Sequence, residues 1–504
     1  MSGSTSTPPP TIVFTEIPAA PNFQVPGDYI EIIPGYNSQG ILPFPARNLI
    51  IGQMTSAGNA VPLTIYPNIA DPLVARGLGG SGSMADRVAT AHLLANQSVP
   101  VDMIFVSDAP GSAKAVWTRT FATPLTNNGT YAENICGTRV TFGQLNGDVA
   151  TAQASDYAAA INAIPTLPVV ATVAGAVVTI TAKNAGLAAN DFSFVLNPLA
   201  GDVTTPGGTS TLTQTVQGAT NPNIAAVIAV MANWYTDALL PWSDTANLLA
   251  ASAEAERRFN AMVRQDLRWH YGFNGSLSQS LANAFDANER FLYQSPFTAP
   301  GSEPYCIAAS MMGVASVSAL NDPSQQLKGL ALPGVVGPVY ANVVQEDTEL
   351  NALLVGGSSV FTVNQAGAIS VLRYVSTYTE NAAGALDEAW HDFMEAAVAS
   401  RVRYDWRTYR DSIWGGAKLA DNDDLAAQLN TRVATPQRMA ATWATRCNTY
   451  AAAGWIIDIV NQVKRAQFVR DPNDANRLNE QLYYTRIGNL MIDAGQLIFN
   501  VGGE

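Results

Sequence analysis

The chain has 504 residues, of which 47% are apolar and only 13% charged, and its formal net charge is −13. That length accommodates roughly two to four domains with cores of their own, and a charged fraction about half the usual one points to an outer surface that meets protein more than water. The acidic balance excludes nucleic acid as the main partner, because phosphate binding needs a basic surface.

Residues 1–10, rich in Ser, Thr and Pro, read as a disordered start. Residues 11–17 (TIVFTEI) form a β-prone run stopped by Pro18, an isolated strand with no neighbour to pair with. Core strands are expected at 29–33 and 48–52. A glycine-rich stretch, Gly77-Leu78-Gly79-Gly80-Ser81-Gly82-Ser83, precedes a helix over 85–96 and a strand over 101–106. It satisfies GxGxxG with Asp102 some 20 residues on, so a dinucleotide fingerprint has to be weighed. That fingerprint needs a strand running into the first glycine, and the lead-in at 71–76 is short and broken by Pro72.

From 119 to 222 short alternating runs, such as 139–142 and 176–181, surround one helix at 155–164 and predict an inserted β-rich module. A Gly/Thr linker at 201–218 leads out of it. Ile224, Val227, Ile228, Met231 and Tyr235 then share one helical face. Helices over 246–263, 278–288 and 304–320 alternate with strands over 268–272 and 290–294, which argues for an α/β layer with a largely parallel sheet. A strand is expected at 368–374. A long helix from Leu386 to Val402 has Asp387 and Glu388 in its first turn and Arg401, Arg403, Arg407 and Arg410 near its end, as the helix dipole favours. The last helix covers 436–453, followed by a strand at 454–460. After a polar loop at 470–479 the pattern closes on a bare strand at 496–501, a second unpaired edge that must dock somewhere.

Chemistry is sparse. His92, His270 and His391 are isolated, and no HExxH, GxSxG or GxxxxGK[ST] occurs. No catalytic, cofactor-binding or metal-ligating residues are therefore assigned, and no cofactor is expected. Cys136, Cys306 and Cys447 lie far apart with no CxxC, which fits buried, reduced thiols. The N-terminus lacks the layout of a signal peptide, and no run of about 18 apolar residues predicts a membrane span. Asp423-Asp424 reads as a solvated turn. Positive charge gathers late in the chain, at Arg401, Arg403, Arg407 and Arg410 and at Lys464, Arg465, Arg470 and Arg477. Those groups are either ordinary helix-end and solvated charges or a basic surface facing an acidic protein.

In order along the chain, several short blocks resemble the tail sheath proteins of contractile bacteriophages of the Mu-like type. They are IVFTEIP at 12–18, Val25-Pro26-Gly27 with Tyr29, RNLIIGQ at 47–53 and Gly79-Gly80-Ser81, where Leu78 stands near the family's aromatic. Further on come LPGV at 332–335, NALL at 351–354 with Gly357, and Ile369, Val371 and Arg373. STYTENAAGALD at 376–387, VATP at 433–436 and the 470–479 loop complete the set. The resemblance implies an α/β fold with α+β elements and no enzymatic activity. It implies an N-terminal arm (1–25), a central domain (26–118 and 223–375), an outer module (119–222), a tube-facing domain (376–493) and a C-terminal arm (494–504). It implies a homo-oligomer, a helical stack of six-membered rings around a tail tube protein, with baseplate and tail terminator proteins at its ends. Such a protein is assembled in the host cytoplasm and resides in the virion. Ile12, Val13, Phe14, Thr15 and Ile17, with Leu497, Ile498, Phe499 and Val501, would be strands added to neighbouring subunits. Lys464, Arg465, Arg470 and Arg477 are the candidate tube-facing basic residues. A sheath of a non-viral contractile injection device shares these features, and a nucleotide-binding α/β enzyme is the distant alternative.

Overall fold

The structure, a computed structural model, describes residues 40–198, 202 and 208–498. The chain divides between Pro43 and Phe44, and every helix and strand named below belongs to the part from Phe44 onward. The expected strands at 11–17 and 29–33, together with Phe499 and Val501, lie outside the described residues.

A six-stranded sheet forms the centre. Its order is Leu292–Phe297, Arg268–Asn274, Asp237–Leu239, Asn48–Gln53, Val101–Val106 and Ile65–Tyr66. The first five strands are parallel and the last is antiparallel. Every residue of Asn48–Gln53 and of Val101–Val106 is buried, as in strands covered on both faces, and the polar members Asn48, Gln53 and Asp102 are hydrogen-bonded there. The helix Met84–Ala95 crosses between these two strands, and Thr245–Phe259 and Leu277–Ala287 join the strands on the other side. Right-handed crossovers running in opposite directions from the middle place those helices on opposite faces.

The helix Pro304–Asn321 has no charged residue and is buried nearly all round, as expected of a helix enclosed in a large core. Glycines let it approach closely. A Cβ on Gly313 would meet Ala95 Cβ at 2.7 Å, and one on Gly272 would meet the Pro304 carbonyl oxygen at 2.0 Å. Within this core Asp237 takes both Arg268 Nε and Nη2 at 2.8 Å and His270 Nε2 at 3.0 Å, while His270 Nδ1 lies 2.8 Å from the Tyr374 hydroxyl. Burial alone would raise the Asp237 carboxyl, but Arg268 and His270 outweigh it and hold it well below the usual carboxylate range.

A second apolar cluster belongs to residues between Ala115 and Ala189. Here an antiparallel sheet of Ser210–Val216, Val116–Phe121, Val177–Ala182 and Val169–Ala174 accompanies a smaller one of Thr138–Gln144, Gly129–Ile135 and Phe194–Leu196. The helix Ala150–Asn162 packs against strands of both. Arg119 and Glu133 form a buried ion pair, to which the Tyr157 hydroxyl donates at 2.6 Å.

Several expected elements shift. The lead-in to the glycine-rich stretch is the helix Pro72–Gly79, capped by Asp71. The helix expected at 155–164 starts earlier, at Ala150. The pattern from Ile224 to Tyr235 keeps only Ala225–Val230 helical, because Arg258 takes the carbonyls of Met231 (2.6 Å) and Asn233 (2.9 Å) and turns the chain away. The strand expected at 290–294 runs over Leu292–Phe297, with Pro296 tolerated on an edge strand.

The helix expected from Leu386 begins at Phe393 and ends at Trp414. Residues before it fold back as a loop: Glu380 bridges Leu386, Tyr378 donates to Asp387 at 2.8 Å, and Arg373 pairs with Asp392 at 2.9 Å. Asp387 and Glu388 therefore precede the helix, and no basic residue lies in its last turn. The dipole explanation of Arg401, Arg403, Arg407 and Arg410 fails. The strand expected at 454–460 reduces to Ile456–Ile457, since the left-handed Asp458 (φ 58°) starts a further helix, Ile459–Arg465.

Candidate assembly surfaces

An open α/β sheet takes ligands where the strand order reverses, beyond the carboxyl ends of its strands. In this sheet the reversal falls between Asn48–Gln53 and Asp237–Leu239. At the end of Asn48–Gln53 the chain's own groups occupy that position. Gln53 Nε2 donates to Asp108 Oδ1 at 2.9 Å and to the Ala185 carbonyl at 2.7 Å, while its Oε1 accepts from Trp242 Nε1 at 3.2 Å. Asn184 donates to the Met54 carbonyl (2.9 Å) and to Asp108 (3.2 Å). A loop of the β-rich module thus occupies the usual ligand position.

The glycine-rich stretch is equally covered. Gly82 N donates to Asp86 Oδ2 at 2.8 Å, and Arg76 Nε contacts both Asp86 oxygens at 3.1 Å. Lys183 Nζ donates to the carbonyls of Ser81 (3.0 Å) and Pro165 (2.6 Å). A Cβ on Gly82 would lie 2.2 Å from the Leu167 carbonyl oxygen, so glycine is required there by the module resting on it. Asp102 is buried against Arg47 at 2.5 Å and accepts from the Tyr235 hydroxyl at 3.1 Å. These residues have structural partners where a dinucleotide fingerprint would leave them open.

His92 and His270 are buried, and burial lowers both imidazoles, His92 to about 4. His391 is half-buried and also lowered by burial. The three cysteines are buried and free, and burial pushes each thiol up. No group of three or more metal-ligating side chains occurs among the described residues, and no helix there is long and apolar enough to cross a membrane.

The last part of the described chain is open. Residues 496–498 carry no strand pairing among the described residues, with Leu497 97% and Ile498 74% exposed. Nearby in sequence, Gln467–Arg470 and Leu478–Gln481 form an antiparallel hairpin, in register from Gln467↔Gln481 to Arg470↔Leu478. Neither strand has a second partner among the described residues, and Val469 is 56% exposed. Where the sequence pattern suggests only a loop at 470–479, this hairpin presents a pair of free sheet edges.

The four candidate basic residues lie on or beside it, without forming one bare patch. Lys464 is exposed, and Arg465 lies over the Tyr483 ring at 4.2 Å. Arg470 pairs with Asp421 at 2.9 Å and Arg477 with Asp471 at 3.6 Å. Of the earlier arginines, Arg401 is buried beneath Phe44 and Trp455, while Arg403 pairs with Asp266 at 2.6 Å.

No protein-family model matches the chain. Among curated proteins it is similar to the Mu-like prophage FluMu tail sheath protein of Haemophilus influenzae, 26% identical over 480 residues that span 93% of this chain and 95% of that protein. Among solved structures it is similar to the helical sheath of the anti-feeding prophage in its contracted state. That likeness has a TM-score of 0.45 at 12% identity and covers 96% of this chain and 100% of the other.

Proposed function

We infer that this chain belongs to the tail sheath proteins of contractile phage tails and serves as a structural subunit that polymerises with copies of itself. The observation that carries the reading is the reach of its similarity to the FluMu sheath protein, which extends through nearly the whole of both chains and is not confined to one domain. The chain's own partners on Gln53 at the sheet's switch point and the burial of His92 and His270 support a mechanical task over a chemical one.

In finer detail, the subunits stack as six-membered rings around a tail tube, as part of the virion. Contraction converts an extended, metastable array into a compact one of lower energy. Ile12, Val13, Phe14, Thr15 and Ile17 from one neighbour, and Leu497, Ile498, Phe499 and Val501 from another, extend sheets of adjacent subunits. The free edges of the 467–481 hairpin are their acceptor, since main-chain donors and acceptors left open there are satisfied by an added strand. Contacts of this kind join different patches on the two partners and do not close on themselves, so the product is a helical cylinder. The β-rich module built around Trp117 and Tyr157 faces outward. Residues 376–493 face the tube, with Lys464, Arg465, Arg470 and Arg477 presented to it.

Negative-stain microscopy of the purified protein tests the reading. Striated tubes or polysheaths are the expected result, and compact particles at every concentration refute it.

A further inference from the structure

Only 27 of 504 residues are Lys or Arg, yet four of them, Arg264, Arg403, Arg407 and Arg410, line a single open cavity of about 220 Å³. Trp234 and Tyr404 supply aromatic wall. Asp266 is the carboxylate in the lining, and Arg403 engages it at 2.6 Å. Arg410 is held by Asp411 at 3.1 Å and lies 3.6 Å from Glu480 of the 467–481 hairpin. Arg264 and Arg407 make no ion pair among the described residues, and the Arg407 guanidinium rests over the Tyr404 ring at 5.9 Å. Arg264 also holds a left-handed backbone (φ 59°), a conformation that side-chain-bearing residues adopt only where their surroundings impose it.

Two arginines with no ion pair among the described residues, lining one cavity with aromatic walls, suit an anion. The planar fork binds a carboxylate through paired hydrogen bonds, and partial exclusion of water strengthens the attraction. The same chain displays a matching surface. The helix Asp347–Val355 opens with Glu346, Asp347 and Glu349, all exposed and none ion-paired among the described residues.

We propose that the arginine cavity receives the acidic stretch 346–349 of a second copy of this chain. The contact rests on the reading of the chain as a polymerising subunit and names one pair of surfaces that the polymer joins. It is heterologous, as an open helical array requires, and it lies beside the hairpin offered above as the strand acceptor, so one neighbour can be held by backbone pairing and another by charge. Being electrostatic and half-exposed, it weakens as salt screens it.

The test is a charge exchange read by sedimentation of polymer, with a thermal melt of each variant as a check of folding. Arg264→Glu/Arg407→Glu lowers sedimentable polymer at least about tenfold, as does Glu346→Arg/Glu349→Arg, and a protein carrying all four changes recovers it. Wild-type levels of polymer in either double variant overturn the proposal. So does a folded quadruple variant that fails to recover, which would assign the cavity to another acidic partner such as the tube. Should a reversal unfold the chain, Arg264→Ala/Arg407→Ala serves instead. Its polymer yield must respond less to salt between about 0.05 and 0.5 M than that of the unsubstituted chain, and an equal response overturns the proposal. An unsubstituted chain that never self-associates overturns the sheath reading itself and this contact with it.

Discussion

His92 makes folding stability depend on pH in a window its geometry defines. Its Nδ1 lies 2.9 Å from the Ala309 carbonyl, and its Nε2 lies 3.1 Å from Asn96 Nδ2 and 3.2 Å from Asn48 Nδ2. The orientation of Asn96 is fixed, because its Oδ1 accepts from Ser98 N and Val99 N. Nδ1 therefore carries the proton of a neutral ring, and a second proton on Nε2 would point at amide donors. Burial pushes the imidazole down to about 4. An unfolded chain takes up that proton near pH 6.5, so the unfolded state binds more protons between 6.5 and 4, and stability falls with pH across that window. Above 6.5 the contribution is fully present. Each pH unit below it removes about 1.4 kcal/mol, so about 3 kcal/mol is lost by pH 4. Urea unfolding of the wild type and of His92→Gln at pH 7, 5.5 and 4.5 isolates the effect, because carboxylates common to both cancel. The variant starts less stable but shows a shallower decline with acid. Parallel declines in the two proteins would refute the assignment.

Three further expectations concern packing and assembly. Gly272→Ala places a methyl 2.0 Å from a backbone oxygen that the Pro304–Asn321 helix cannot withdraw, so it lowers stability by about 3 kcal/mol or more, seen as a fall in melting temperature. Removing residues 1–20 or 494–504 leaves folded monomers that form no sheath, and normal polymers from both truncations count against the arm assignment. Arg465→Glu and Arg470→Glu abolish assembly on the tube while polymer formed without a tube persists, as a co-sedimentation assay distinguishes.

The parallel sheet was legible in the sequence because its strands are covered on both faces: NLIIG and VDMIF are short runs in which apolar residues predominate without strict alternation, and they appear as Asn48–Gln53 and Val101–Val106. Pro304 at the first helical position, followed by a charge-free run, marked the enclosed helix equally well. Local pattern misled where a distant group intervened. Leu386 to Trp390 has helical spacing, yet Tyr378, Glu380 and Arg373 hold the segment as a returning loop. Likewise Arg258, far along the chain, ends the helix after Val230. The surfaces offered for assembly were visible only in part. A polar, Asn- and Pro-punctuated stretch hides the hairpin at 467–481, and no periodicity brings Arg264 beside Arg407.

The three-way grip on Gln53 has a mechanical corollary. Two of the module's own residues reach the sheet there: Ala185 accepts from Gln53 and donates to Asp108, and Asn184 donates to the Met54 carbonyl, so the β-rich module is tied to the parallel sheet at a third place besides its two connecting segments. A pull applied to the module is then borne by the end of Asn48–Gln53 as well as by the two connections.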